Sequence, residues 1–333
     1  MRASVIRQFA KPWVIEEVPQ PEPGPGQVLI RVTASAFCGT DVHVHHGRLP
    51  VQAPVVAGHQ PVGVIESTGP GVTDLRVGER VGVTWFQKGC GRCEWCRSRR
   101  IVYCEQVHTW MDTGGGNAEF VVAWAEGCTL LPDGLADEVA APMFCAGYTV
   151  LSALRMADPK PGERVAVIGF GGLGHLAVQF AKGLGHETVV VTSSAAKVQD
   201  ALALGADDAV LSGDHIGDTL RHAGKADIVL ACTNSAIDVG RVMSGLRPGG
   251  RVVNTGYVEG PICVDVTDLT FSQRRLIGAT MDDRADLAGA IDLCASGKVT
   301  PRVETFPLNA HNEVLAAAEA GTLRYCGVLL PWA

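Results

Sequence analysis

Hydrophobic and polar residues follow two different patterns along the chain. Through roughly the first 140 residues, short β-branched runs are separated by glycine and proline, and this pattern predicts a compact all-β unit. The runs that we interpret as strands are QVLIRVTA, VVAGHQPVGVIEST, ERVGVTW and AEFVVAW. The amino-terminal part of the chain is therefore expected to be rich in β-structure.

From about Met143 the pattern changes to strands that alternate with helices. RVAVIGF predicts a buried strand, and the apolar residues after it recur on one face of a helix, at Leu173, Leu176, Ala177, Phe180, Ala181 and Leu184. The strand ETVVVTS, the helix AKVQDALALGA, the strand DIVLACT, the helix SAIDVGRVMSGLRPGG and the strand RVVNTGY follow. Such alternation predicts a parallel sheet with right-handed crossovers.

These patterns predict an α/β protein with two domains. Residues 1–147 form the β-rich domain, and residues 148–287 form a doubly wound parallel sheet of Rossmann type. A helix-like segment and the strand-like YCGVLL remain after about Leu287. Because these are too little for a third domain, we expect residues 288–333 to return to the first.

Composition and charge exclude several classes of partner. The 333 residues are 47% hydrophobic and 19% charged, with a formal net charge of -7. Nucleic acids and anionic membranes select basic surfaces, so neither is expected as a partner. No apolar run approaches the ~20 residues of a membrane-spanning helix, and the amino terminus lacks a signal-peptide pattern. We therefore expect a cytoplasmic protein.

The stretch IGFGGLG predicts a dinucleotide site. It places Gly169, Gly171 and Gly174 in a G-x-G-x-x-G pattern, with Gly172 and Leu173 inside the same turn. Glycines allow the backbone to turn tightly and to approach a pyrophosphate, and the helix that follows offers free N–H groups to the anion. The position between a predicted strand and a predicted helix makes this interpretation more specific than a Gly-rich turn alone.

The residues after the second strand of this domain favour NADP(H) over NAD(H). An Asp or Glu is expected here if the ribose 2′-hydroxyl is bound, but the chain continues as VVVTSSAAK. Ser193 and Ser194 supply hydroxyls, Lys197 supplies a positive charge, and no carboxylate repels a 2′-phosphate. The alternative is that Ser194 caps the next helix and Lys197 is solvated.

The stretch CGRCEWCRSRRIVYC predicts a structural zinc site. Its C-x2-C-x2-C-x7-C spacing sets four thiols in one loop, which suits a closed tetrahedral Zn²⁺ site. We call this segment the four-cysteine lobe, and its ligands are Cys90, Cys93, Cys96 and Cys104. Disulfides, which the cytoplasm disfavours, and an iron–sulfur cluster are the alternatives.

A second zinc site is suggested by Cys38, His59 and Cys145. Two cysteines and one histidine form one of the three-ligand arrangements that leave the fourth position of zinc open for water or substrate. The three residues are far apart in sequence, and a buried cysteine often serves only as a small hydrophobic residue. Spacing alone therefore leaves both interpretations open.

The chain resembles the zinc-dependent alcohol dehydrogenases of the medium-chain dehydrogenase/reductase superfamily, especially the cinnamyl-alcohol and microbial branches. The resemblance runs through FCGTD, AGHQPVG, VGERVGVTW, the four-cysteine lobe, CAGYTV, GFGGLGHLAVQFAK and LGAD. It implies a GroES-like catalytic domain that holds both zinc ions, a cofactor domain inserted before the carboxyl-terminal segment, and an active site in the cleft between the domains.

The resemblance also implies roles for single residues. By position, Cys38, His59 and Cys145 match the catalytic zinc ligands, and Asp41 matches the carboxylate that orients the ligand histidine. Thr40 matches the hydroxyl that takes the substrate proton, and His46 matches the residue that relays it toward solvent. The remaining matches are Trp85 and Trp110 in the substrate pocket and Thr149 beside the nicotinamide.

Gln60 departs from the family pattern, because many relatives have Glu at this position. With two thiolate ligands the zinc set already has a formal charge of zero, so a Glu makes the region anionic and a Gln leaves it neutral. We hypothesise that Gln60 keeps zinc a stronger Lewis acid and slows exchange of the fourth ligand. The alternative is a neutral exchange that conserves shape and hydrogen bonding.

The sequence thus predicts a zinc-dependent dehydrogenase that transfers hydride between NADP(H) and an alcohol/aldehyde pair, with aromatic or medium-sized aldehydes as substrates. One alternative is a biosynthetic reductase of a C=N or conjugated C=C bond on the same scaffold. Another is a nucleotide-binding protein with structural zinc and no catalysis. Because the relatives form dimers or tetramers, a homodimer or homotetramer is expected.

Overall fold

The computed structural model describes residues 1–213 and 215–333, and the chain forms two compact units. The first unit contains Met1–Ala146, Asp283–Ala295 and Pro301–Ala333, and the second contains Gly147–Asp282 and Ser296–Thr300. The units divide after Ala146 and after Asp282, whereas the sequence pattern predicts domain boundaries after residues 147 and 287. Both termini of the described chain belong to the first unit.

The strands have two to 11 residues, and the longest lies at the centre of the first unit. In chain order they are β1 Arg2–Ile6, β2 Val14–Glu17, β3 Gln27–Phe37, β4 Val55–Val56, β5 Pro61–Thr68, β6 Arg80–Val83, β7 Phe86–Lys88, β8 His108–Thr109, β9 Phe120–Trp124, β10 Cys128–Leu130, β11 Val165–Ile168, β12 Thr188–Thr192, β13 Asp208–Leu211, β14 Ala226–Ala231, β15 Leu246–Asn254, β16 Arg275–Gly278, β17 Val303–Pro307 and β18 Cys326–Leu330.

The helices are longest in the second unit and at its borders. In chain order they are α1 Gly39–His45, α2 Glu94–Arg97, α3 Trp110–Thr113, α4 Asp137–Ala140, α5 Ala146–Met156, α6 Gly172–Gly183, α7 Ala195–Ala203, α8 Ile216–His222, α9 Ala236–Arg241, α10 Val266–Phe271, α11 Arg284–Ala295 and α12 His311–Glu319. Short 3₁₀ turns cover Ile101–Tyr103, Ala125–Gly127, Ala141–Phe144, Val242–Gly245 and Leu308–Ala310.

The first unit is built around β3. This strand pairs with β5 on one side and with β9 and β18 on the other. Six strands of the seven-stranded sheet follow the order β10-β6-β5-β3-β18-β17, and the seventh, β9, pairs with β3 outside this order. Val28, Ile30 and Val32 point into one apolar core, while Phe37 belongs to another. Strand β18, from the last part of the chain, thus lies beside β3, the strand that leads to Cys38.

The second unit is a parallel sheet ordered β13-β12-β11-β14-β15-β16. Numbered within the unit, this is the 3-2-1-4-5-6 order of a Rossmann fold, whose switch point lies between the first and fourth strands. The four residues of β11 are completely buried, as expected for a strand covered on both faces. The predicted Rossmann-type sheet and the β-rich first part of the chain are both confirmed.

Two local predictions were wrong. The run VVAGHQPVGVIEST is divided into β4 and β5, because residues 57–60 leave the extended pairing and carry the predicted ligand His59. The predicted helix ending at Pro-Gly-Gly stops at Arg241 and is followed by a 3₁₀ turn, and β15 begins at Leu246. A register shift between Ala226 and Ile228 of the neighbouring strand accommodates this segment.

No single helix within the described ranges has the length and apolar character needed to cross a membrane. Asp137–Phe144 and Ala146–Met156, which form a bent pair, satisfy that test only when taken together, by length and composition.

Candidate functional site

The pairing of β3 with β5 brings Cys38 and His59 together. Ser35 at the end of β3 faces Pro61 at the start of β5, and the N–H of Ala36 donates to the carbonyl oxygen of Gln60 at 3.2 Å. Cys38 follows β3 directly and His59 precedes β5 by two residues. As a result, the Sγ atom of Cys38 lies 3.4 Å from Nε2 of His59.

Cys145 reaches the same place from the turn Ala141–Phe144. A Cβ atom on Gly82 of β6 would lie 2.1 Å from the ring of Phe144, so only glycine lets this turn pack against the strand. Cys145 Sγ then lies 4.0 Å from Cys38 Sγ. We call Cys38, His59 and Cys145 the three-ligand site; its ligand atoms all lie within 4.8 Å of one another.

The donor geometry of the three-ligand site fits zinc. With Zn–S bonds of about 2.3 Å and Zn–N bonds of about 2.1 Å, a tetrahedral ion sets neighbouring ligand atoms about 3.5 to 3.8 Å apart. The 3.4 Å and 4.0 Å separations lie close to these values. Three ligands also leave one tetrahedral position for another molecule.

Asp41 connects the three-ligand site to helix α1. Cys38 is the N-cap of this helix, and its Sγ atom accepts a hydrogen bond from the N–H of Thr40. In return, Asp41 Oδ2 accepts from the N–H of Cys38 at 2.9 Å, which completes a capping box. The other oxygen of Asp41 lies 3.3 Å from Nδ1 of His59, so the carboxylate also orients the ligand ring.

Burial and mutual attraction shift the pKa values in this cluster. A hydrogen bond with Cys145 and the nearby His59 ring lower the pKa of Cys38 well below its usual value, although burial opposes the shift. Burial disfavours the imidazolium of His59, but the Asp41 carboxylate and Cys38 raise the pKa of His59 to about 10. Burial raises the pKa of Asp41. Since a ligand histidine must be neutral, metal binding here releases a proton and weakens as the pH falls.

The proposed relay residues Thr40 and His46 lie at opposite ends of α1. Thr40 is half-buried in the first turn beside Cys38, whereas His46 follows the last turn and is exposed. Six residues of helix separate them by about 9 Å along the axis. His46 Nε2 lies 2.7 Å from Oε1 of Glu319, the last residue of α12.

Trp85 lies against the three-ligand site, and Trp110 lies behind it. The ring centroids of Trp85 and His59 are 5.4 Å apart in an edge-on arrangement, and those of Trp85 and Trp110 are 5.6 Å apart. Trp85 is half-buried, while Trp110 is only 3% exposed and belongs to an apolar core. Of the two tryptophans, Trp85 therefore has the accessible ring surface.

Gln60 is completely buried next to His59. Its Nε2 donates to the carbonyl oxygen of Ala36 at 3.3 Å, and its Oε1 has no hydrogen-bond partner among the residues that the structure describes. The amide thus links the segment before β5, which carries His59, to the end of β3, which leads to Cys38. A carboxylate in this place would lack the donor that faces the Ala36 carbonyl.

The four-cysteine lobe gathers its thiols without disulfides. All four cysteines are free, their sulfur atoms lie within 4.8 Å of one another, and the Sγ atoms of Cys90 and Cys96 are 3.9 Å apart. This is too long for an S–S bond of about 2.05 Å and close to the spacing around one tetrahedral ion. The set fits a single structural zinc ion.

Hydrogen bonds inside the lobe favour thiolates unequally. The N–H groups of Arg92 and Cys93 lower the pKa of Cys90 to about 6, whereas burial raises the pKa of Cys96 to about 12. Four thiolates at such short separations repel one another. A bound divalent cation offsets this repulsion and allows all four to ionise.

The glycine loop is shaped for a phosphate group. Gly169 has a φ of +83°, and a Cβ atom there would lie 2.6 Å from the carbonyl oxygen of Cys232. A Cβ on Gly174 would lie 2.1 Å from the carbonyl oxygen of Gly169. By contrast, the Cβ direction of Gly171 faces open space at the start of α6, and Gly172 and Leu173 form its first turn. This open position at a helix N-terminus fits the pyrophosphate of a dinucleotide.

The other predicted cofactor contacts lie at the end of β12 and in α5. Ser193 is exposed, and Ser194 and Lys197 are half-buried. Ser194 is the N-cap of α7, but its side chain makes no capping hydrogen bond. Thr149 lies in the first turn of α5 and is 9% exposed. The hydroxyl of Ser194 is thus not used by the cap that the alternative interpretation assigned to it.

Sequence reasoning missed two groups of residues at the site. Glu319, the partner of His46, is 273 residues away along the chain, and no local signal pointed to it. Gly115, Gly116 and Asn117 contact the segment that carries His59. The run GGG was visible in the sequence, but its partner was not.

Comparison with known proteins matches both units. A family model described as the alcohol dehydrogenase GroES-like domain matches residues 24–133, and one described as zinc-binding dehydrogenase matches residues 172–296. The chain is 39% identical to an alcohol dehydrogenase of Geobacillus stearothermophilus over 322 residues, which cover 94% of this chain and 95% of the relative.

The relatives use both nicotinamide cofactors. NADP-dependent alcohol dehydrogenase C 1 of Mycolicibacterium smegmatis is 33% identical, with 91% of this chain and 89% of the relative covered. A solved NAD-dependent alcohol dehydrogenase superposes with a TM-score of 0.92 at 28% identity, over 99% of each chain. The comparisons thus imply a nicotinamide cofactor without selecting one.

The role of Asp41 is tested by Asp41→Asn. The amide still accepts from the N–H of Cys38, but it no longer balances the His59 ring as a carboxylate does. We expect zinc affinity at the three-ligand site to fall about 10- to 100-fold, measured by competition with a chelator.

The matched control is Asp112→Asn, because Asp112 completes the same kind of capping box with Thr109 at the start of α3. This variant should keep the zinc affinity of the unaltered protein. Equal affinities in the two variants would contradict the assigned role of Asp41.

Proposed function

The chain belongs to the zinc-type alcohol dehydrogenases of the medium-chain dehydrogenase/reductase superfamily, and we propose that it transfers hydride between NADP(H) and an alcohol/aldehyde pair. The observation that carries the proposal is the three-ligand site, whose two thiols and one imidazole converge within 4.8 Å. A protein that only binds nucleotide has no need of a metal position left open. The homodimer or homotetramer and the cytoplasmic location stay predictions.

The chain's own residues hold and orient the reacting groups. When bound, Zn²⁺ supplies a Lewis acid that polarises a carbonyl or acidifies an alcohol, and the nicotinamide supplies the hydride. Asp41 keeps Nδ1 of His59 protonated and thereby directs Nε2 toward the metal position. The accessible ring of Trp85, with Trp110 packed behind it, favours aromatic or medium-sized aldehydes beside that position.

Proton transfer is assigned to Thr40 and His46. The Thr40 hydroxyl lies in the first turn of α1, beside Cys38, and takes up or delivers the substrate proton. His46 lies about 9 Å further along the axis of α1, so the proton passes between the two side chains through water molecules or through hydroxyl groups of the bound substrate and cofactor. Glu319 holds the His46 ring at the surface, where the proton is exchanged with solvent.

The NADP(H) preference rests on the residues after β12. Ser193 is exposed, the Ser194 side chain is not used in capping, and Lys197 lies one turn further on. Hydroxyls and a lysine favour a 2′-phosphate, whereas an Asp or Glu at this point favours the free ribose hydroxyl. Both an NADP-dependent and an NAD-dependent alcohol dehydrogenase are among the similar proteins, so the preference of this chain requires a direct test.

The function is tested by initial rates of NADPH and NADH oxidation with a panel of aromatic and aliphatic aldehydes. We expect NADPH to be oxidised faster, and we expect the rate to disappear when a chelator removes the metal and to return with Zn²⁺. A zinc-replete protein without any aldehyde-dependent rate would contradict the proposal and favour a reductase of C=N or conjugated C=C bonds.

Cofactor preference is tested by Ser193→Asp, which places a carboxylate at the end of β12. Repulsion of the 2′-phosphate should lower the ratio of kcat/KM for NADPH to that for NADH at least about tenfold, or ~1.4 kcal/mol. Ser193→Asn is the uncharged control of similar size. The same ratio in both variants would show that NADP(H) is not bound at this residue.

The hypothesis for Gln60 is tested by Gln60→Glu. The added charge should weaken the Lewis acid and so slow carbonyl reduction, and it should raise the pKa that governs kcat by about one unit. Exchange of the fourth ligand should become faster. Gln60→Met removes the hydrogen bond to Ala36 without adding charge and serves as control. Unchanged turnover together with an unchanged pH profile in the Glu variant would disprove the hypothesis.

A further inference from the structure

The backbone that presents His59 is held by a glycine segment from a distant part of the chain. The N–H groups of Gly115, Asn117 and Gly116 donate to the carbonyl oxygens of Val56, Ala57 and Gly58, at 3.1, 2.8 and 2.9 Å respectively. Three consecutive amides thus bind three consecutive carbonyls. His59 is the next residue after the bound stretch.

This contact requires glycine on both sides. A Cβ atom on Gly115 would lie 2.1 Å from the carbonyl oxygen of Ala57, and one on Gly116 would lie 2.3 Å from Cβ of Pro61. Gly58 has a φ of +94°, and a Cβ there would lie 2.3 Å from Oδ1 of Asn117. The two backbones therefore touch directly, which leaves little freedom in the position of the residue that follows Gly58.

Asn117 extends the contact to the segment that carries Cys38. Its side chain is 1% exposed and packs on Gly58, while its Oδ1 accepts a 2.7 Å hydrogen bond from the hydroxyl of Ser35. Ser35 is completely buried in β3, three residues before Cys38. One amide therefore touches the chain next to His59 and is hydrogen-bonded to the strand that leads to Cys38.

The Asn117 amide is not optimised for stability. Its Nδ2 is buried and has no hydrogen-bond partner within residues 1–213 and 215–333, and a buried unpaired donor is unfavourable for folding. An apolar residue at this position avoids that penalty but loses the link to Ser35. The arrangement fits a side chain whose main contribution is position.

We propose that residues 115–117, and the Asn117 side chain in particular, position His59 relative to Cys38 for metal binding at the three-ligand site. The side chain of Asn117 contacts Gly58 and Ser35, so it is a positioning residue that acts through the chain on either side of the site. The inference rests on the proposed function, because it assumes that this site binds zinc.

The test compares zinc-loaded full-length protein with Asn117→Ala. Zinc release to a chromophoric chelator is followed, and the phase that belongs to the three-ligand site is identified by its absence in Cys38→Ser. Release from this site should be about tenfold faster in Asn117→Ala, while release from the four-cysteine lobe should not change. With Co²⁺ in place of Zn²⁺, the visible absorption bands of the three-ligand site should shift.

Two further variants complete the test. Asn254→Ala is the matched control, because Asn254 also has one amide atom buried without a partner, yet it lies in the second unit. It should leave both zinc sites and the Co²⁺ spectrum unchanged. Ser35→Ala removes only the hydroxyl bound to Asn117 and should change release and spectrum in the same direction by a smaller amount, even if Asn117→Ala fails to fold.

The possible failures are distinguishable. Unaltered release and an unaltered Co²⁺ spectrum in Asn117→Ala would overturn the positioning role. Equal acceleration of both zinc sites, accompanied by a lower melting temperature, would also overturn it, because that result indicates general destabilisation. If the unaltered protein binds zinc in the four-cysteine lobe alone, the proposed function itself is wrong.

Discussion

The carboxylate of Asp41 serves two groups that the chain must hold together, namely the backbone N–H of Cys38 and the ring of His59. This one side chain therefore completes the capping box between the end of β3 and the start of α1, and it also orients the ligand His59. Cys145 is added by a turn that packs on Gly82. Burial strengthens these interactions, since charges removed from water are compensated only by one another. The rest of the first unit keeps these segments in register.

Periodicity was sufficient to predict the architecture, because buried parallel strands and one-sided helices have strong patterns. It was insufficient where tertiary contacts determine whether a segment forms a helix or a strand. The stretch at Pro248 was interpreted as the end of a helix, but pairing with β14 draws Leu246 into a strand. The edge strands β13 and β16 were not predicted, since they are short and partly exposed and so lack a long apolar run.

The parts of the candidate site that lie within one short segment were easier to predict than the parts assembled from distant segments. The four-cysteine lobe lies within one short segment, so its spacing alone pointed to a metal. The three-ligand site required the family resemblance, because the register of β3 and β5 brings Cys38 and His59 together and no spacing rule describes it. The contacts of Glu319 and Asn117 depend on strands and helices remote in sequence, and a single sequence contains no sign of them.

The place of β18 in the sheet has a consequence for the order of assembly during synthesis. Gly327 pairs with Phe37, the residue directly before Cys38, so the strand leading to the three-ligand site gains its last partner only after β18 has left the ribosome. The four-cysteine lobe closes within a few residues and can capture zinc on the nascent chain. The four cysteines of the lobe are therefore all present on the nascent chain long before β3 has its last partner.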